Sequence, residues 1–480
     1  MDLRERADKP PGDRFGEFEV KMREAGVSEF TLRAFRHNYS QLKASDSGFI
    51  PERNIRQILD LPRLEAITSC TTPNLELLGQ TVILKLNGGL GTSMGLDRAK
   101  SLLIVRDGLT FLDFTVRQVR WLRNRHAGNL RFLLMNSFST SQETLNFLRQ
   151  FPELGKPEAL ELLQSQVPKV DARTLGPIAW PDNPAFEWCP PGHGDIYPSL
   201  LSSGLLERLL AEGAKYLFVS NSDNLGANLD LTLLTYFASS GKDFLMEVAE
   251  RTSSDRKGGH LAERDGKLLL RESAQCPKDD MPAFQDIQQH RFFNTNNLWI
   301  RLDSIRALLD QHGGFIPLPL IKNAKTVDPR DKNSPPVLQL ETAMGAAIEK
   351  FANTGAIVVP RTRFAPVKTT SDLLALRSDA YTVTEDWRIL LARVKGEPPP
   401  AIDLDQDHYR IVDQLDEKLK AGIPSLKDCT ELIVRGPVLF QSGNVFQGKV
   451  SVTNPTSIPK PLPAGKYSNS TVELAGPVCP

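Results

Sequence analysis

Short apolar runs alternate with amphipathic stretches over residues 80–385, and this alternation is the main pattern in the chain. The runs have the length and β-branched content of buried strands, while the stretches between them repeat their apolar positions at helical spacing. Strands that alternate with helices predict an α/β fold with a mostly parallel sheet, in which ligands bind at the carboxyl ends of the strands. The predicted strands are 82–86, 130–135, 216–220, 244–248, 297–300 and 356–359, and two of the predicted helices are 111–125 and 200–212.

The first 75 residues carry a helical pattern instead. Pro51 can begin a short helix through Leu59. We interpret this segment as a helical appendage packed on the α/β domain, with a regulatory or oligomer-forming role as the alternative. A longer helix precedes it, with Ser28 as the candidate cap and an apolar face at spacings of three and four residues: Leu32, Phe35, Tyr39 and Leu42.

The pattern changes again near residue 390. The run Lys395 to Pro400, with three successive prolines, predicts a linker. After residue 430, short apolar pairs recur with glycines between them about every six residues, which is typical of the coils of a parallel β-helix, although an ordinary small sheet fits nearly as well. The tail 459–480 is rich in proline and serine and is predicted to be partly disordered. The predicted domains are therefore 1–75, 76–390 and 391–480.

Composition and charge exclude several classes of protein. The chain has 480 residues, enough for more than one core, and its 58 basic residues balance 58 acidic ones. A neutral chain argues against a nucleic-acid protein or a polybasic membrane binder, and we find neither a signal peptide nor an apolar run long enough to cross a bilayer. Five cysteines without paired short spacing predict reduced thiols in the cytoplasm and no zinc site.

A glycine-rich loop follows the first predicted strand. Four glycines fall between Gly88 and Gly95, and such a loop can turn its N–H groups inward to form an anion site. Lys100 would supply a mobile cation close to a bound phosphate. The spacing matches neither a P-loop nor a dinucleotide fingerprint, so a phosphate site and a tight turn after a strand remain equally good interpretations.

The whole string from Lys85 to Gly95, followed by Lys100 and Ser101, closely resembles the signature loop of UTP–glucose-1-phosphate uridylyltransferases. Ser93 stands where the related N-acetylhexosamine enzymes have arginine, which favours the glucose branch. Ala99 departs from the family, which usually has proline before the lysine. The resemblance implies that Lys100 meets the phosphates of the nucleotide and that four loop residues bind it: Leu86, Asn87, Gly88 and Gly89.

Two further strings resemble parts of the same family that surround the base. In the segment 164–169 the resemblance implies that Gln164 meets uracil, and an amide can donate and accept at once, as a uracil edge requires. Without the resemblance this segment would be a surface loop, and Lys169 replaces an arginine that the family often has. The string 190–195, Pro-Pro-Gly-His-Gly-Asp, implies that Gly192 approaches the uracil and that His193 lies by the sugar phosphate; a simple turn is the alternative.

A polar loop after the strand at 216–220 contains the candidate metal ligand. An aspartate at the carboxyl end of a strand suits Mg²⁺, which takes one or two carboxylates beside substrate phosphates. An Asx-turn that caps the next helix would use the same residue types. The loop resembles the family's Ser-Asn-x-Asp-Asn-Leu-Gly-Ala string, which implies that Asp223 binds the metal and that Asn221 helps to hold the nucleotide.

The remaining matching strings belong to the family's sugar site and to its second lysine. Asparagine is a poor strand former, so the three asparagines in 293–299 indicate hydroxyl recognition. The alternatives are a charged hairpin turn at 250–259, a capped helix start at 339–345, and a solvated charge run at 360–368. The resemblance implies that Lys368 reaches the reacting phosphates and that the sugar phosphate is bound by Gly259, Asn296, Asn297 and Glu341.

The resemblance implies a Rossmann-like, GT-A-like nucleotidyltransferase fold: a mixed sheet, an N-terminal helical segment and a C-terminal left-handed parallel β-helix. The implied activity is Mg²⁺-dependent uridylyl transfer from UTP to glucose 1-phosphate, giving UDP-glucose and pyrophosphate. The expected partners are these two substrates, with no nucleic acid or membrane, and the C-terminal domain could support a homo-oligomer. The alternatives are the same chemistry on galactose or N-acetylglucosamine 1-phosphate, a non-catalytic UTP-binding assembly protein and, least favoured, a Rossmann dehydrogenase.

Overall fold

The computed structural model describes residues 13–44, 48–126, 129–252, 255–393 and 398–474. Its helices are α1 (Phe15–Glu24), α2 (Glu29–Lys43), α3 (Leu64–Thr68), α4 (Phe111–His126), α5 (Ser141–Leu148), α6 (Ile196–Ser202), α7 (Leu205–Ala211), α8 (Leu231–Ser239), α9 (Met281–Phe284), α10 (Leu302–Gln311), α11 (Thr370–Arg377), α12 (Gln406–Tyr409) and α13 (Val412–Lys418).

The strands up to the end of the central sheet are β1 (Thr81–Asn87), β2 (Ile104–Arg106), β3 (Leu109–Thr110), β4 (Arg131–Asn136), β5 (Glu161–Leu163), β6 (Val167–Pro168), β7 (Val170–Asp171), β8 (Trp188–Cys189), β9 (Tyr216–Asn221), β10 (Phe244–Glu250), β11 (His260–Arg264), β12 (Lys267–Arg271), β13 (Phe292–Arg301), β14 (Ile321–Thr326), β15 (Pro336–Glu341) and β16 (Thr354–Val358). The later strands are β17 (Tyr381–Val383), β18 (Ile389–Leu391), β19 (Ala401–Leu404), β20 (Ser425–Arg435), β21 (Val438–Leu439), β22 (Asn444–Thr453), β23 (Lys460–Pro461) and β24 (Gly465–Glu473).

The central sheet is mixed rather than mostly parallel. Its nine strands run in the order β12-β11-β13-β9-β1-β4-β5, with β10 paired to β13 and β16. The strands β9, β1, β4 and β5 are parallel, but β13 is antiparallel to both β9 and β10. This corrects the expectation of a mostly parallel sheet. The chain enters β13 after the β11–β12 hairpin and a short helix instead of a crossover helix, so β13 runs in the opposite direction.

All six predicted strands are confirmed, but two predicted helices are not. The predicted helix 200–212 is two helices, α6 and α7, separated at Gly204, where φ is +70°. The predicted helix from Pro51 through Leu59 is only the 3₁₀ turn Glu52–Asn54. The reason is that Arg56 exchanges backbone hydrogen bonds with Glu263, at 2.8 and 2.9 Å, which draws the segment into an extended conformation.

The two N-terminal helices pack on the α/β part of the chain, as the sequence predicts. Ser28 caps α2, because its Oγ accepts from the Thr31 N–H at 3.1 Å. The aromatic face of α1 and α2, built around Phe18 and Phe35, is buried in one cluster with Val167.

The C-terminal strands stack in parallel. The sheet has the order β19-β20-β22-β24, and β21 pairs in parallel with β23. Its core is continuous with Phe111 and Phe114 of α4, so this part of the chain packs on the segment that follows the glycine loop. The prediction of a partly disordered tail is wrong for β23 and β24, since the parallel ladder of β22 continues onto β24. Residues 475–480, and residues 394–397 of the predicted linker, lie outside the described residues.

None of the helices in the described ranges is long and apolar enough to span a membrane. Four cysteines carry free thiols, Cys70, Cys189, Cys276 and Cys429, and Cys479 lies outside the described residues.

Candidate functional site

The glycine loop joins the end of β1 to the turn that begins at Lys100. Gly88 is required by a close approach, because a Cβ there would lie 2.8 Å from Gln164 Oε1. Gly95 is in the left-handed region, with φ +78°. The backbone N–H of Lys100 donates to the Gly89 carbonyl at 3.2 Å, which closes the loop on itself. The loop therefore presents Gly89, which is exposed, beside the lysine.

Lys100 meets the candidate metal ligand directly. Its Nζ donates to Asp223 Oδ2 at 2.7 Å and also to the Val367 carbonyl. Both side chains are largely buried, at 16% and 18% exposure. Two predicted site residues that are 123 positions apart in the sequence are thus in contact, and Val367 brings the neighbouring Lys368 backbone to the same place.

The candidate uracil site brings Gln164 and Gly192 together. The Gln164 amide, 8% exposed, donates from Nε2 to the Gly192 carbonyl at 2.7 Å. Gly192 has φ +79°, and a Cβ there would lie 2.5 Å from the Thr342 carbonyl oxygen. The amide therefore lies between two glycines, since Gly88 approaches its oxygen and the Gly192 carbonyl accepts from its nitrogen.

His193 is half-buried and carries one defined hydrogen bond. Its Nδ1 accepts from the Met344 N–H at 3.0 Å, so the remaining ring proton lies on Nε2. Burial lowers the pKa of His193 to about 4, so the ring is neutral near pH 7. A neutral ring in this tautomer offers Nε2–H as a hydrogen-bond donor.

Asn296 reaches Asn221, at the start of the loop that carries Asp223, because β13 is irregular. The register between β10 and β13 shifts at Glu247 and Val248, and Asn296 adopts φ +62°, which asparagine tolerates better than most residues. Asn294 supports this conformation, because its Oδ1 accepts from the Asn296 N–H at 2.9 Å. The Asn296 amide then donates to Asn221 Oδ1 at 3.4 Å. Sequence reasoning named Asn296 and Asn221 but missed this link between them.

Asn297 points to the other side of the strand and is fully buried. Its Nδ2 donates to Glu247 Oε2 at 3.1 Å, within a buried ion pair that sequence reasoning missed. Arg363 binds Glu247 through two hydrogen bonds of 2.7 and 2.8 Å, and the Trp299 indole donates to the same carboxylate at 2.9 Å. This network ties the asparagine strand to the loop that precedes Lys368.

The predicted charge run at 360–368 is not uniformly solvated. Arg363 is buried on Glu247, and Arg361 forms an ion pair with Asp255 at 2.9 Å. Lys368 is exposed, and its backbone N–H donates to Asp372 at the start of α11. Lys368 is therefore an exposed cation, whereas Arg361 and Arg363 are held in ion pairs.

Glu272 is a further candidate that sequence reasoning missed. A Cβ on Gly259 would lie 2.5 Å from Glu272 Oε2, so the carboxylate covers that glycine closely. Burial raises the pKa of Glu272, and the charge of Lys368 lowers it. The available signal was its position after the apolar run of β12, the same strand-end pattern that identified Asp223.

The other predicted residues are Glu341, which lies beside Gly192, and Asn87 and Leu86, which lie at the end of β1. Glu341 ends β15 next to the Gly192 loop, and burial raises its pKa. Asn87 is buried and its amide is already used, by Asn136 Oδ1 at 2.7 Å and Thr144 Oγ1 at 3.0 Å. Its side chain therefore holds the loop in place, and Leu86 is half-buried beside it.

The residues present suit a magnesium ion held by one carboxylate better than a metal ion held by three or more protein side chains. Within the described ranges, no group of three or more histidine, cysteine, aspartate or glutamate side chains could hold a metal. Asp223 Oδ1, however, is buried and has no hydrogen-bond partner. Magnesium takes few protein carboxylates when phosphates complete its shell, so one orphaned carboxylate oxygen in this position fits that ion.

Comparison with known proteins agrees with this chemistry. A family model described as UTP–glucose-1-phosphate uridylyltransferase matches residues 31–447. The enzyme of that name from Solanum tuberosum is 39% identical over 410 residues, 85% of this chain and 84% of its own. The one from Saccharomyces cerevisiae is 40% identical over 384 residues, 80% and 74% of the two chains.

Solved structures resemble the whole fold. A point mutant of UDP-glucose pyrophosphorylase from Leishmania major in complex with UDP-glucose is 48% identical, with a TM-score of 0.91 over 96% of this chain and 99% of that one. A UDP-glucose phosphorylase from Trypanosoma brucei is 48% identical, with a TM-score of 0.89 over 96% and 100% of the two chains.

Proposed function

The chain belongs to the UTP–glucose-1-phosphate uridylyltransferase family, and we propose that the cleft around Lys100 and Asp223 is where it transfers a uridylyl group from UTP to glucose 1-phosphate and releases pyrophosphate. The observation that carries this assignment is the 2.7 Å contact between Lys100 Nζ and Asp223 Oδ2, beside an unpartnered Asp223 Oδ1. A cation and an anion are held together there at the end of the glycine loop, where the phosphates of a nucleotide would lie.

Recognition of UTP is assigned to the residues around Gln164. The amide reads the uracil edge, and Gly88, Gly89 and Gly192 let the nucleotide approach the backbone. Asn87 and Leu86 hold the shape of the loop. Lys100 exchanges the Asp223 carboxylate for the nucleotide phosphates, and Lys368, on a flexible stem, reaches the same phosphates from the opposite side.

The sugar phosphate is assigned to the region between His193 and Asn296. The neutral His193 donates from Nε2 to the phosphate, while Asn296, Gly259 and Glu341 face the sugar hydroxyls. Glu272, beside Gly259, offers a carboxylate acceptor for one of these hydroxyls. Asn297 takes a supporting role, since its amide is bound to Glu247.

The reaction needs charge neutralisation more than proton transfer. An ionised oxygen of glucose 1-phosphate attacks the α-phosphorus of UTP, a new P–O bond forms, and the bond to the bridging oxygen breaks as pyrophosphate leaves. The nucleophile carries no proton, so no general base is required. Lys100, Lys368 and the loop N–H groups align the two polyanions and offset their repulsion.

Magnesium is the metal that we assign to Asp223. When bound, the ion would supply positive charge to the phosphates. Asp223 would hold it through Oδ1, and Asn221, bonded to Asn296, would keep the adjacent nucleotide oxygens in place.

Four wider assignments accompany this function. We interpret the mixed sheet as GT-A-like and the stacked C-terminal coils as a short left-handed β-helix. A homo-oligomer through those coils, and a cytoplasmic location suited to reduced thiols, are further proposals. The parallel stacking of β20, β22 and β24 supports the assignment of the β-helix.

The decisive experiment measures pyrophosphate release from UTP and Mg²⁺ with glucose 1-phosphate, galactose 1-phosphate and N-acetylglucosamine 1-phosphate in parallel. We expect rapid release with glucose 1-phosphate, lost in Asp223→Ala and retained in the exposed control Asp310→Ala. Release with another sugar only would keep the mechanism and change the substrate. No release with any sugar, despite binding of UTP, would contradict the assignment and favour a non-catalytic UTP-binding protein.

A further inference from the structure

Lys85 places an amino group inside the central sheet, between Leu84 and Leu86 of β1. The side chain is 3% exposed. Its Nζ donates to Ser220 Oγ at 2.8 Å and to the Ala227 carbonyl at 2.5 Å, and both of these partners are neutral. Burying an ammonium group against neutral partners is unfavourable, and an apolar side chain would fill the same space at lower cost. Packing therefore does not explain this buried amino group, and its two hydrogen bonds indicate another role.

The two partners of Lys85 lie at opposite ends of one loop. Ser220 is near the end of β9, and Ala227 follows six residues after the strand ends at Asn221. The segment between them contains Asn221 and Asp223. One ammonium group thus closes the base of the loop that carries the proposed metal ligand.

The rest of the loop is fastened on its two flanks. On one side the Ser222 N–H donates to the Leu86 carbonyl at 3.0 Å. On the other, the Val367 N–H donates to the Asp223 carbonyl at 3.2 Å. These bonds fix the middle of the loop to β1 and to the Lys368 segment. Beyond Ala227, Arg363 donates to the Asn228 carbonyl at 3.0 Å and to Asn228 Oδ1 at 3.1 Å, so it holds the loop next to Lys85. Lys85 joins the two ends, Ser220 and Ala227.

The charges around Lys85 are arranged about the same loop. Arg363 and Lys85 are the buried cations, and Glu247 and Asp223 are the nearby anions that favour the charged lysine. Burial, followed by Arg363, lowers the pKa of Lys85 to about 7. Arg363 is bound by both oxygens of Glu247, and Asp223 Oδ2 is bound by Lys100, which leaves Asp223 Oδ1 without a hydrogen-bond partner.

We propose that Lys85 is a positioning residue for uridylyl transfer, which closes the loop between Ser220 and Ala227 and so aims the Asp223 carboxylate into the cleft. The inference rests on the proposed function, since it explains how the proposed metal ligand is held. Lys85 does not touch the substrates in this arrangement, and it acts through the loop.

The test compares Lys85→Met, which keeps the length of the side chain and removes the donor, with Lys242→Met. Lys242 is a matched control, because it is a partly buried lysine whose Nζ donates to a backbone carbonyl, that of Thr354, at 3.1 Å. In protein without metal or nucleotide, we expect Lys85→Met to speed amide hydrogen exchange in residues 221–227 by about tenfold or more, the effect of losing one charge-assisted hydrogen bond. Lys242→Met should leave that segment unchanged.

A second readout follows the metal itself. Electron paramagnetic resonance of free Mn²⁺ in the presence of UTP should show about tenfold weaker Mn²⁺ binding to Lys85→Met, with UTP binding in the absence of metal nearly unchanged. In turnover, kcat should fall while KM for glucose 1-phosphate stays close to that of the unaltered protein. Ser220→Ala, which removes one of the two bonds, should show the same changes at smaller size and serves if Lys85→Met does not fold.

Equal exchange in residues 221–227 and equal Mn²⁺ affinity in both lysine variants would overturn the inference. So would a global loss of stability with no specific change in that segment. Failure of the proposed function is distinguishable, because it would appear in the unaltered protein as absence of pyrophosphate release with every sugar phosphate.

Discussion

At the residue scale, Lys100 and Asp223 form an ion pair. We propose that the lysine binds the phosphates of a magnesium–nucleotide complex and that the aspartate binds the metal. The pair is largely buried, so the cost of desolvating both charges offsets most of their attraction, and its direct contribution to stability is small. Its value lies in position, because the lysine bonds to Asp223 and to the Val367 carbonyl. The pair therefore links the glycine loop to the loop that carries Asp223 and to the segment that precedes Lys368, the three segments that we propose surround the phosphates.

This arrangement predicts that Lys100→Ala lowers kcat far more than it weakens the binding of UTP. A cation that stabilises charge developing in the transition state contributes about 10²–10³ in rate, while Gln164 and the loop backbone still bind the nucleotide. The measurements are steady-state kinetics and calorimetric titration of UTP, with the exposed Lys278→Ala as the control. Equal, small losses in both quantities would count against the role.

His193 and Asp195 predict opposite dependences of stability on pH. Burial lowers the pKa of His193 to about 4, against 6.5 for a free histidine. As the pH falls from 6.5 to 4, the unfolded chain gains a proton that the folded chain does not, so the free energy of unfolding decreases. Burial raises the pKa of Asp195 to about 6, against 3.8, so its contribution is lost as the pH rises from about 4 to 6.

Urea unfolding of two variants between pH 4 and pH 7 separates these effects. His193→Gln should lose less stability than the unaltered protein as the pH falls, and Asp195→Asn should lose less as the pH rises. Each pKa unit is worth about 1.4 kcal/mol, so slopes altered by about 1–3 kcal/mol across the interval are expected. Slopes identical to those of the unaltered protein would show that neither group titrates abnormally in the fold.

At the scale of elements, helix α2 contacts the segment next to the proposed uracil site. Thr31 Oγ1 lies 2.8 Å from Ser165 Oγ, and the Ser165 N–H donates to Asp195 Oδ2 at 2.7 Å. Ser165 directly follows Gln164, which we propose to bind the uracil. The N-terminal helices are thus a support for the base site as well as a cover for the apolar surface around Val167.

This support predicts that Thr31→Val raises KM for UTP about two- to fivefold and leaves KM for glucose 1-phosphate unchanged. The substitution keeps the volume and removes two neutral hydrogen bonds of the Thr31 hydroxyl, to Ser165 Oγ and to Ser28 Oγ. The bond to Ser165, worth about 1 kcal/mol, is the one that supports the proposed base site. Thr68→Val is the control, since Thr68 is exposed and bonds only to its own helix at Leu64. Equal changes in both KM values would indicate a general loosening rather than a role in base recognition.

At the scale of the whole molecule, periodicity predicted the strands and the glycine loop because both depend on local sequence. The antiparallel direction of β13 in the sheet was not predicted, because nothing in its own residues indicates that a hairpin precedes it. Gln164 and Lys368 were proposed through the family resemblance, and Asp223 through its position after a strand together with that resemblance, since a glutamine or aspartate alone is common in turns. Glu272 and the Glu247–Arg363 pair were missed, because their partners are distant in sequence and only the folded sheet brings them together.

The last prediction joins the C-terminal region to the nucleotide. Ile411 packs on the left-handed Gly95, where a Cβ would lie 2.7 Å from the isoleucine Cβ. Ile411 immediately precedes α13, which shares a buried core with α4. Its contact with Gly95 therefore lets the C-terminal region fix one end of the glycine loop. Ile411→Ala should therefore raise KM for UTP several-fold by releasing that loop, with KM for glucose 1-phosphate preserved. Ile423→Ala is the matched control, because Ile423 is an exposed isoleucine of the same region. A loss of thermal stability in Ile411→Ala with both KM values unchanged would show that the contact serves only the core.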